Sequence, residues 1–256
     1  MQQITAIIPV FNEQQNIADA IASVSFANEI LVVDAFSIDD TVAIATQYPK
    51  VKVLQHEYNY SAAQKNWAIP QAQHEWIFLL DADERVPEPL KNEILNTINN
   101  PKNFAAFWIK RSNFFMGKQL RYVWKGDKVV RLFKRDNCRY EDKNVHAEII
   151  AEGNIGILEN ELVHDTYQYK GLEPHLQKNY RYSTWAAYDK IHKTTQVTFF
   201  HLAVKPLAAF LKRYIVQRGF LDGRQGFIIS VFGAWSVFLR YVKIWRIKEG
   251  ETIERK

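Results

Sequence analysis

The stretch WIFLLDADER, residues 76–85, decides how this sequence is interpreted. The apolar run Trp76–Leu80 has the length and composition of a buried strand, and it stops at two aspartates, Asp81 and Asp83. Side chains two apart in an extended segment point the same way, so the sequence predicts that these carboxylates converge, with Ala82 as a small spacer. Paired carboxylates favour a hard cation such as Mg²⁺ or Mn²⁺. Taken alone, Asp-x-Asp fits a solvated acidic turn equally well.

The rest of the first hundred residues alternates between strand and helix patterns. Asn12 is expected to cap the first helix, and Ser37 with Asp40 forms a variant of the capping box before the second. Repeated βα units of this length predict a parallel, three-layer sheet, in which ligands bind beyond the carboxyl ends of the strands. Strands are predicted at 4–10, 29–35, 50–56 and 75–83, and helices at 12–24, 37–48, 61–69 and 87–98.

Polar clusters follow the other predicted strands at this same edge. The helix that Asn12 opens has an N-terminus suited to an anion or a base carbonyl, and Asp34 is placed to accept hydrogen bonds from a ribose or a base. Lys65, one of five basic residues in the first hundred, is a candidate partner for phosphate. The alternatives are plain helix capping by Ser37 and Asp39, and an ordinary surface lysine. The candidate ligand-binding residues are Pro9, Phe11, Asn12, Glu13, Asp34, Ser37, Asp39, Lys65, Asp81 and Ala82.

Composition limits the class of protein. The chain has 256 residues, of which 47% are hydrophobic, so a sizeable core is expected. The single cysteine, Cys138, excludes an internal disulfide framework and a multi-cysteine zinc site. The N-terminal stretch MQQITAIIPVFNEQQ has neither a basic start nor a cleavable apolar segment, so no signal peptide is expected and a cytoplasmic location follows.

Charge is distributed unevenly along the chain. The first hundred residues carry 5 Lys and Arg against 13 Asp and Glu, whereas the remaining 156 carry 28 against 15. The acidic part suits a cation, and the basic part suits an anionic partner. After residue 100 the pattern becomes more alternating, with strands at 104–115 and 129–135 that are expected to pair antiparallel. A further short strand lies within 154–167, and helices follow at 172–192, 197–217 and 223–245.

Four motifs in order, PVFNE, VVDAFSIDDT, QKNWAI and FLLDADE, resemble the nucleotide-sugar-binding half of family 2 glycosyltransferases with the GT-A fold. The form VVDAFSIDDT, with Ala35 where many members have a second acid, looks like the subgroup of lipopolysaccharide inner-core glucosyltransferases. The resemblance implies an α/β fold, a GT-A mixed sheet with a helical C-terminal extension. It implies a catalytic domain over 1–170, with donor binding in 1–100 and the acceptor side and base in 101–170, followed by a helical basic region over 171–256.

The resemblance also implies a reaction. An acceptor hydroxyl of a glycan or glycolipid attacks the anomeric carbon of a nucleotide-diphosphate sugar, expected to be UDP-linked, in one inverting displacement. The divalent ion, Mg²⁺ or Mn²⁺, neutralises the departing diphosphate and is assigned to Asp81, Asp83 and His164. A polyprenyl-phosphate glycosyltransferase is the alternative within the class. From another class, the rival is a sugar-nucleotide-binding or nucleotidyl-transferring protein, which the glycine-free loop PVFNEQQN disfavours.

The catalytic base has three candidates. The segment RLFKRDNCRYEDKNVHAEI resembles one in which Val-His-Glu follows an Arg-Leu-Phe strand, although Ala147 interrupts it here. Glu148 is the first candidate, and His146 shares its face in an extended segment, where it positions Glu148 or plays a purely structural part. Asp142, in a Glu-Asp pair, is the rival.

The C-terminal part is basic and aromatic, with nine Lys and Arg and one acid, Asp222, between residues 201 and 248. An apolar stripe in the last predicted helix is flanked by Arg224, Arg240, Lys243 and Arg246, and the run 226–239 is expected to be too short to span a membrane. The stripe either packs against protein or lies on an anionic membrane surface, which predicts a peripheral enzyme on the inner face of the cytoplasmic membrane. No nucleic-acid module is recognisable, so nucleic acid is not an expected partner.

Overall fold

The computed structural model describes residues 2–143, 147–166 and 171–253. The chain forms two compact units. We call the first, Met1–Ser112 with Gly126–Asp165, the sheet unit. We call the second, Asn113–Lys125 with Thr166–Lys256, the helical unit.

The strands follow the apolar runs of the sequence, and all four predicted βα units are present. They are β1 (Ile4–Val10), β2 (Glu29–Asp34), β3 (Val51–Gln55), β4 (Trp76–Leu79), β5 (Glu84–Arg85), β6 (Phe104–Phe115), β7 (Lys118–Gln119), β8 (Lys128–Lys134), β9 (Cys138–Tyr140), β10 (Ile149–Ala151), β11 (Asn154–Ile157) and β12 (Leu162–Asp165). The main sheet has the order β3-β2-β1-β4-β8-β6-β12-β5.

The first four strands of that order run parallel, as the βα pattern predicts. Strand β8 pairs antiparallel with both β4 and β6, so the expectation of antiparallel additions after residue 100 is confirmed for these strands. Strand β11 instead pairs parallel with β6. The result is a mixed sheet with helices in the C-terminal part, and the expected fold class is therefore confirmed.

Apolar layers cover both faces of the parallel strands, which explains why these strands are continuous apolar runs. Ile8 and Val32 belong to the layer that includes the apolar side of helices α1 (Ile17–Ser23) and α4 (Glu88–Asn99). Ile7 and Val33 face the opposite layer, which includes helix α3 (Ser61–Ala68). This packing fixes the carboxyl ends of β1, β2 and β4 at one edge.

Two predicted helix starts were wrong. Helix α1 begins at Ile17 rather than at residue 12, and Asn12 has a φ of 53°, in the left-handed region. Helix α2 (Thr41–Ala45) is short, and Asp40 at its N-cap makes no side-chain capping bond. The hydroxyl of Ser37 instead accepts the backbone N–H of Asn12 at 2.8 Å, because a nonlocal loop contact replaces the expected local cap.

The helical unit is built from α5 (Leu172–Lys190), α6 (Lys205–Leu211) and α7 (Gly223–Lys248). Two π-helical turns, Phe200–Val204 and Lys212–Val216, flank α6. The carboxylate of Asp222, just before α7, accepts the backbone N–H groups of residues 121, 122 and 123 at 2.9–3.0 Å. The lone acid of this basic region therefore anchors the 113–125 segment inside its own unit.

Lys243 does not lie at the edge of the apolar stripe, as the sequence pattern suggested. It is buried between α5 and α7, where its ammonium donates to the carbonyl of Tyr180 and to the hydroxyls of Ser183 and Thr184 at 2.7–2.8 Å. Burial lowers the pKa of Lys243 to about 8. Three oxygen acceptors compensate for the desolvation of this ammonium.

The apolar run 226–239, which is expected to be too short to span a membrane, lies within a longer helical stretch. The helical stretch Gly219–Lys248 has 30 residues, and an 18-residue window within it has a mean hydropathy of 1.5. By length and composition this stretch meets the requirement for a membrane span, although 28% of the window is buried against the protein.

Candidate functional site

Backbone contacts join the loops after β1 and β2 at the carboxyl edge of the sheet. The side-chain oxygen of Asn12 accepts a hydrogen bond from the N–H of Ile38 at 2.9 Å. The N–H of Asn12 in turn donates to the hydroxyl of Ser37. Phe36 has a φ of 60°, which is strained for a bulky side chain and typical of loops held for ligand binding. The rings of Phe11 and Phe36 are each 50% exposed, so this edge offers two aromatic faces.

Asp34 and Asp39 organise the same loops. Asp34 is fully buried at the end of β2, where it accepts the N–H of Ser37 at 3.1 Å and the side-chain amide of Gln55 at 3.3 Å. Asp39 accepts from Thr41 and from the N–H of Gln14. Burial raises the pKa of Asp39, but these hydrogen bonds outweigh it and hold the pKa below its usual value.

Three further candidates of this edge have mainly structural contacts. Glu13 donates its N–H to the hydroxyl of Thr41 at 2.7 Å and accepts from the side-chain amide of Asn16 at 2.9 Å. Pro9 lies within β1 opposite Val33. Ala82 is buried in the apolar core, so only its backbone is chemically available, and its carbonyl already accepts from Arg85 at 2.7 Å.

The two aspartates of the DAD motif do not share a strand face. Strand β4 ends at Leu79, and the N–H of Glu84 closes a turn onto the carbonyl of Asp81 at 2.9 Å. Asp81 and Asp83 consequently make different contacts. The expectation from strand periodicity was wrong here, because the chain leaves the extended conformation before it reaches the first aspartate.

Asp81 is paired with two cations. The ammonium of Lys65 lies 3.0 Å from one oxygen, and the guanidinium of Arg131 contacts the other. Although burial opposes ionisation, these positive charges hold the pKa of Asp81 well below its usual range. Lys65 is itself buried, so it is not the surface lysine that the sequence left open.

Sequence reasoning missed Arg131 and gave Glu84 no role, yet both are central to this network. Arg131 also bonds Glu84 at 2.7 Å, and Glu84 accepts the N–H of Asp81 at 3.0 Å. Arg111 approaches the same glutamate at 3.5 Å. Glu84 and Arg131 are almost inaccessible to solvent. The available signal was a charged residue inside the apolar run VVRLF, which indicates a buried charge with a partner.

Asp83 lies beside His164. Strand β12 pairs antiparallel with β5 so that His164 stands opposite Glu84, and the N–H of Asp165 donates to the carbonyl of Asp83 at 3.0 Å. The imidazole Nε2 of His164 is 3.8 Å from the Asp83 carboxylate, and both side chains are about nine-tenths buried. Sheet register therefore brings together two residues that are far apart in sequence.

Asp83 and His164 have side chains that suit a divalent ion, but two ligands do not complete the coordination of such an ion. Within residues 2–143, 147–166 and 171–253, no group of three or more His, Cys, Asp or Glu side chains lies close enough to hold a metal. A carboxylate and an imidazole suit Mn²⁺, and an ion bound by few protein ligands takes its remaining positions from phosphate oxygens and water. Asp83 and His164 are the residues that would hold it, whereas Asp81 is already neutralised by Lys65 and Arg131.

Two of the candidate bases, Asp142 and Glu148, lie in one short hairpin region. Asp142 accepts a hydrogen bond from the hydroxyl of Tyr60, and this bond raises the pKa of that phenol. Glu148 is exposed, and its backbone carbonyl accepts a hydrogen bond from the N–H of Glu141 at 2.9 Å. His146 lies outside the described residues.

Comparison with known proteins gives matches along most of the chain. The family model described as glycosyl transferase family 2 matches residues 5–149. "Uncharacterized glycosyltransferase RP128" of Rickettsia prowazekii is 28% identical over 257 positions, covering 95% of this chain and 87% of that protein. "Lipopolysaccharide core biosynthesis glycosyltransferase LpsC" of Rhizobium meliloti is 26% identical over 254 positions, covering 95% and 92%. Among solved structures, S. aureus TarS 1–349 is 14% identical with a TM-score of 0.47, covering 98% of this chain and 93% of that one.

Proposed function

The chain belongs to glycosyl transferase family 2, and on that premise we propose that it moves a sugar from a nucleotide-diphosphate sugar to a hydroxyl group with inversion at the anomeric carbon. The observation that supports this most is the carboxyl edge of the sheet, where Asp83 and His164 meet beside loops that present two aromatic rings. We propose that the sheet unit, within residues 1–170, carries the reaction, with donor binding in 1–100.

We propose that the loops after β1 and β2 hold the nucleoside. Phe11 and Phe36 offer faces for a base, and Asn12 and Ser37 fix the loop that carries them. Two donors contact Asp34, namely the N–H of Ser37, which both carboxylate oxygens share, and the side-chain amide of Gln55, so the carboxylate keeps acceptor capacity for a proposed bond to a ribose or a base. UDP is the proposed nucleotide.

The diphosphate is proposed to lie near Asp83. Asp83 and His164 would hold a Mg²⁺ or Mn²⁺ ion, which would supply positive charge to neutralise the leaving diphosphate. Lys65 and Arg131 hold Asp81 in place next to the same turn. The acceptor oxygen forms its bond to the anomeric carbon as the bond to the diphosphate breaks with its electron pair. A carboxylate of the 141–148 region takes the hydroxyl proton.

The proposed acceptor is a glycan or glycolipid of the cell envelope, namely lipopolysaccharide core or another envelope polysaccharide. Support comes from the relative described as a lipopolysaccharide core biosynthesis glycosyltransferase, which matches 95% of this chain. Exposed apolar side chains and abundant Lys and Arg in the helical unit support a cytoplasmic enzyme that sits peripherally on the anionic inner face of the membrane.

The donor is tested by thermal unfolding with a panel of nucleotide sugars, with and without Mn²⁺. A ligand present at 100 times its Kd stabilises the native state by about 2.7 kcal/mol, so the true donor is expected to raise Tm measurably only when metal is present. Turnover of that donor with Mn²⁺ supports transfer. Stabilisation without any metal-dependent turnover would instead favour a non-transferring nucleotide-sugar-binding protein, and transfer to polyprenyl phosphate would move the acceptor to the alternative class.

The base is tested by neutral, isosteric substitutions. Glu148→Gln is expected to lower kcat by at least about 100-fold while leaving donor affinity unchanged, because a general base acts only in the transition state. Glu152→Gln, an exposed glutamate just after β10, is the matched control and is expected to keep wild-type turnover. If Asp142→Asn gives the large loss and Glu148→Gln does not, the base is Asp142, held in place by Tyr60.

A further inference from the structure

The helical unit gathers four cations from four helical segments. We call them the Arg240 cluster: Lys190 at the end of α5, Lys205 at the start of α6, Arg213 in the following π-helical turn, and Arg240 on α7. They are close enough to perturb one another. The charge of Arg240 lowers the pKa of Lys190, and burial together with Arg240 lowers the pKa of Arg213.

Protein carboxylates do not compensate for this charge. Among salt bridges between described residues, none involves a member of the Arg240 cluster. The Nε atom of Arg240 is buried and has no hydrogen-bond partner among the described residues. Asp222 is the only acid between residues 201 and 248, and its carboxylate already accepts hydrogen bonds from the backbone N–H groups of residues 121–123. Crowded like charges with an orphaned buried donor are the expected features of a site that an external anion completes.

Aromatic and backbone contacts hold the cluster in place. The guanidinium of Arg240 lies 5.1 Å from the centroid of the Tyr241 ring, and the ammonium of Lys205 lies 4.7 Å from it and donates to its hydroxyl at 2.9 Å. Arg213 lies directly against α7, since its guanidinium occupies the space that a Cβ at Gly233 would need. Arg240 is about two helical turns further along the same helix. Lys205, Arg213 and Arg240 are therefore positioned by packing, whereas Lys190 is exposed at the rim of the cluster.

Exposed apolar side chains border the cluster. The ring of Phe200 is 53% exposed and lies 5.7 Å from the Lys205 ammonium, and it contacts His201, whose ring is 4.9 Å from that of Tyr241. Phe199 is 79% exposed. Cations beside exposed aromatic rings suit a ligand that joins an anion to an apolar group.

We propose that the Arg240 cluster binds the phosphate group of a membrane-anchored amphiphile. Arginine fits phosphate because its planar guanidinium donates two parallel hydrogen bonds to two phosphate oxygens, and the adjacent rings of Phe199 and Phe200 lie where the apolar part of such a ligand enters the bilayer. This deepens the membrane part of the proposed function and rests on it, whereas sugar transfer does not depend on it.

The test is co-sedimentation of the full chain with three vesicle types: neutral phosphatidylcholine, phosphatidylcholine with phosphatidic acid, and phosphatidylcholine with oleate at equal negative charge. The chain is expected to prefer the phosphatidic acid vesicles. Arg213→Gln/Arg240→Gln is expected to weaken that binding by about 10-fold or more. The control, Lys212→Gln/Arg224→Gln, removes two exposed cations of the same unit outside the cluster and is expected to change binding by less than about 3-fold.

Three results would overturn the proposal: equal losses in the two double variants, equal binding to oleate and phosphatidic acid vesicles, or calorimetric binding of inorganic pyrophosphate without any vesicle binding. Binding of pyrophosphate without vesicle binding would mean that the ligand is a soluble phosphate and not a lipid. Circular dichroism checks that both variants are folded. The donor-induced rise in Tm, measured on the same variants, is expected to stay at the wild-type value, so failure of the lipid site is distinguishable from failure of sugar transfer.

Discussion

Arg131→Met is expected to destabilise the protein by about 3–5 kcal/mol, because it removes the cation that neutralises the fully buried carboxylate of Glu84 and also pairs with the partly exposed Asp81. Arg131 contacts Asp81 and Glu84, and Glu84 is fully buried. Arg111 lies 3.5 Å from Glu84 but already forms two hydrogen bonds to Asp127, so it does not replace the shorter bond that Arg131 makes. Urea unfolding measures the loss of free energy.

The control for this prediction is Lys91→Met in the same unit. Lys91 pairs with Glu88 on the exposed side of α4 at 2.9 Å, and such surface pairs contribute about 0–1 kcal/mol. The double variant Arg131→Met/Glu84→Gln is expected to recover part of the loss, since no negative charge then remains buried at position 84. An Arg131→Met protein within 1 kcal/mol of wild type would show that the network contributes little to stability.

Asp83→Asn is expected to lower turnover by about 1000-fold and to abolish the rise in Tm that Mn²⁺ produces with the donor. The reason is that the substitution keeps the shape of the side chain but removes the anionic ligand, and metal stabilisation of a leaving group contributes several kcal/mol to the rate. Asp83 has His164 as its neighbour and lies on the turn that closes between Asp81 and Glu84. Calorimetry with Mn²⁺ and nucleotide gives a readout that does not depend on turnover.

Asp136→Asn is the matched control for Asp83→Asn, since Asp136 is an exposed carboxylate that pairs with neighbouring Arg135 at 2.8 Å. Wild-type turnover is expected for it. Asp81→Asn is expected to behave differently from Asp83→Asn, because it leaves Lys65 and Arg131 without their shared carboxylate and so lowers stability as well as activity. If Asp83→Asn retained Mn²⁺ binding and turnover within about 3-fold, Asp83 would not be the metal ligand.

Local signals in the sequence predicted the fold well. The strands and the parallel order of the βα units follow from apolar runs and helical periodicity, which depend on neighbouring residues only. The same signals failed at helix starts. The sequence predicts helix caps in the 12–16 and 37–40 segments. Hydrogen bonds between the two loops, such as the one from Asn12 to Ser37, instead hold both segments in a non-helical conformation. Local propensity is weak compared with such tertiary contacts.

For the candidate site, too, the sequence determined some features and the tertiary structure determined the others. By itself the sequence determined that carboxylates, amides and hydroxyls stand at the ends of β1, β2 and β4, since strand ends are set by the apolar pattern. Only the tertiary structure decided their partners. Antiparallel pairing of β8 with β4 brings Arg131 to Asp81, and pairing of β12 with β5 brings His164 to Asp83. Charge pairing depends on distance, and the register of strands far apart in the chain sets those distances.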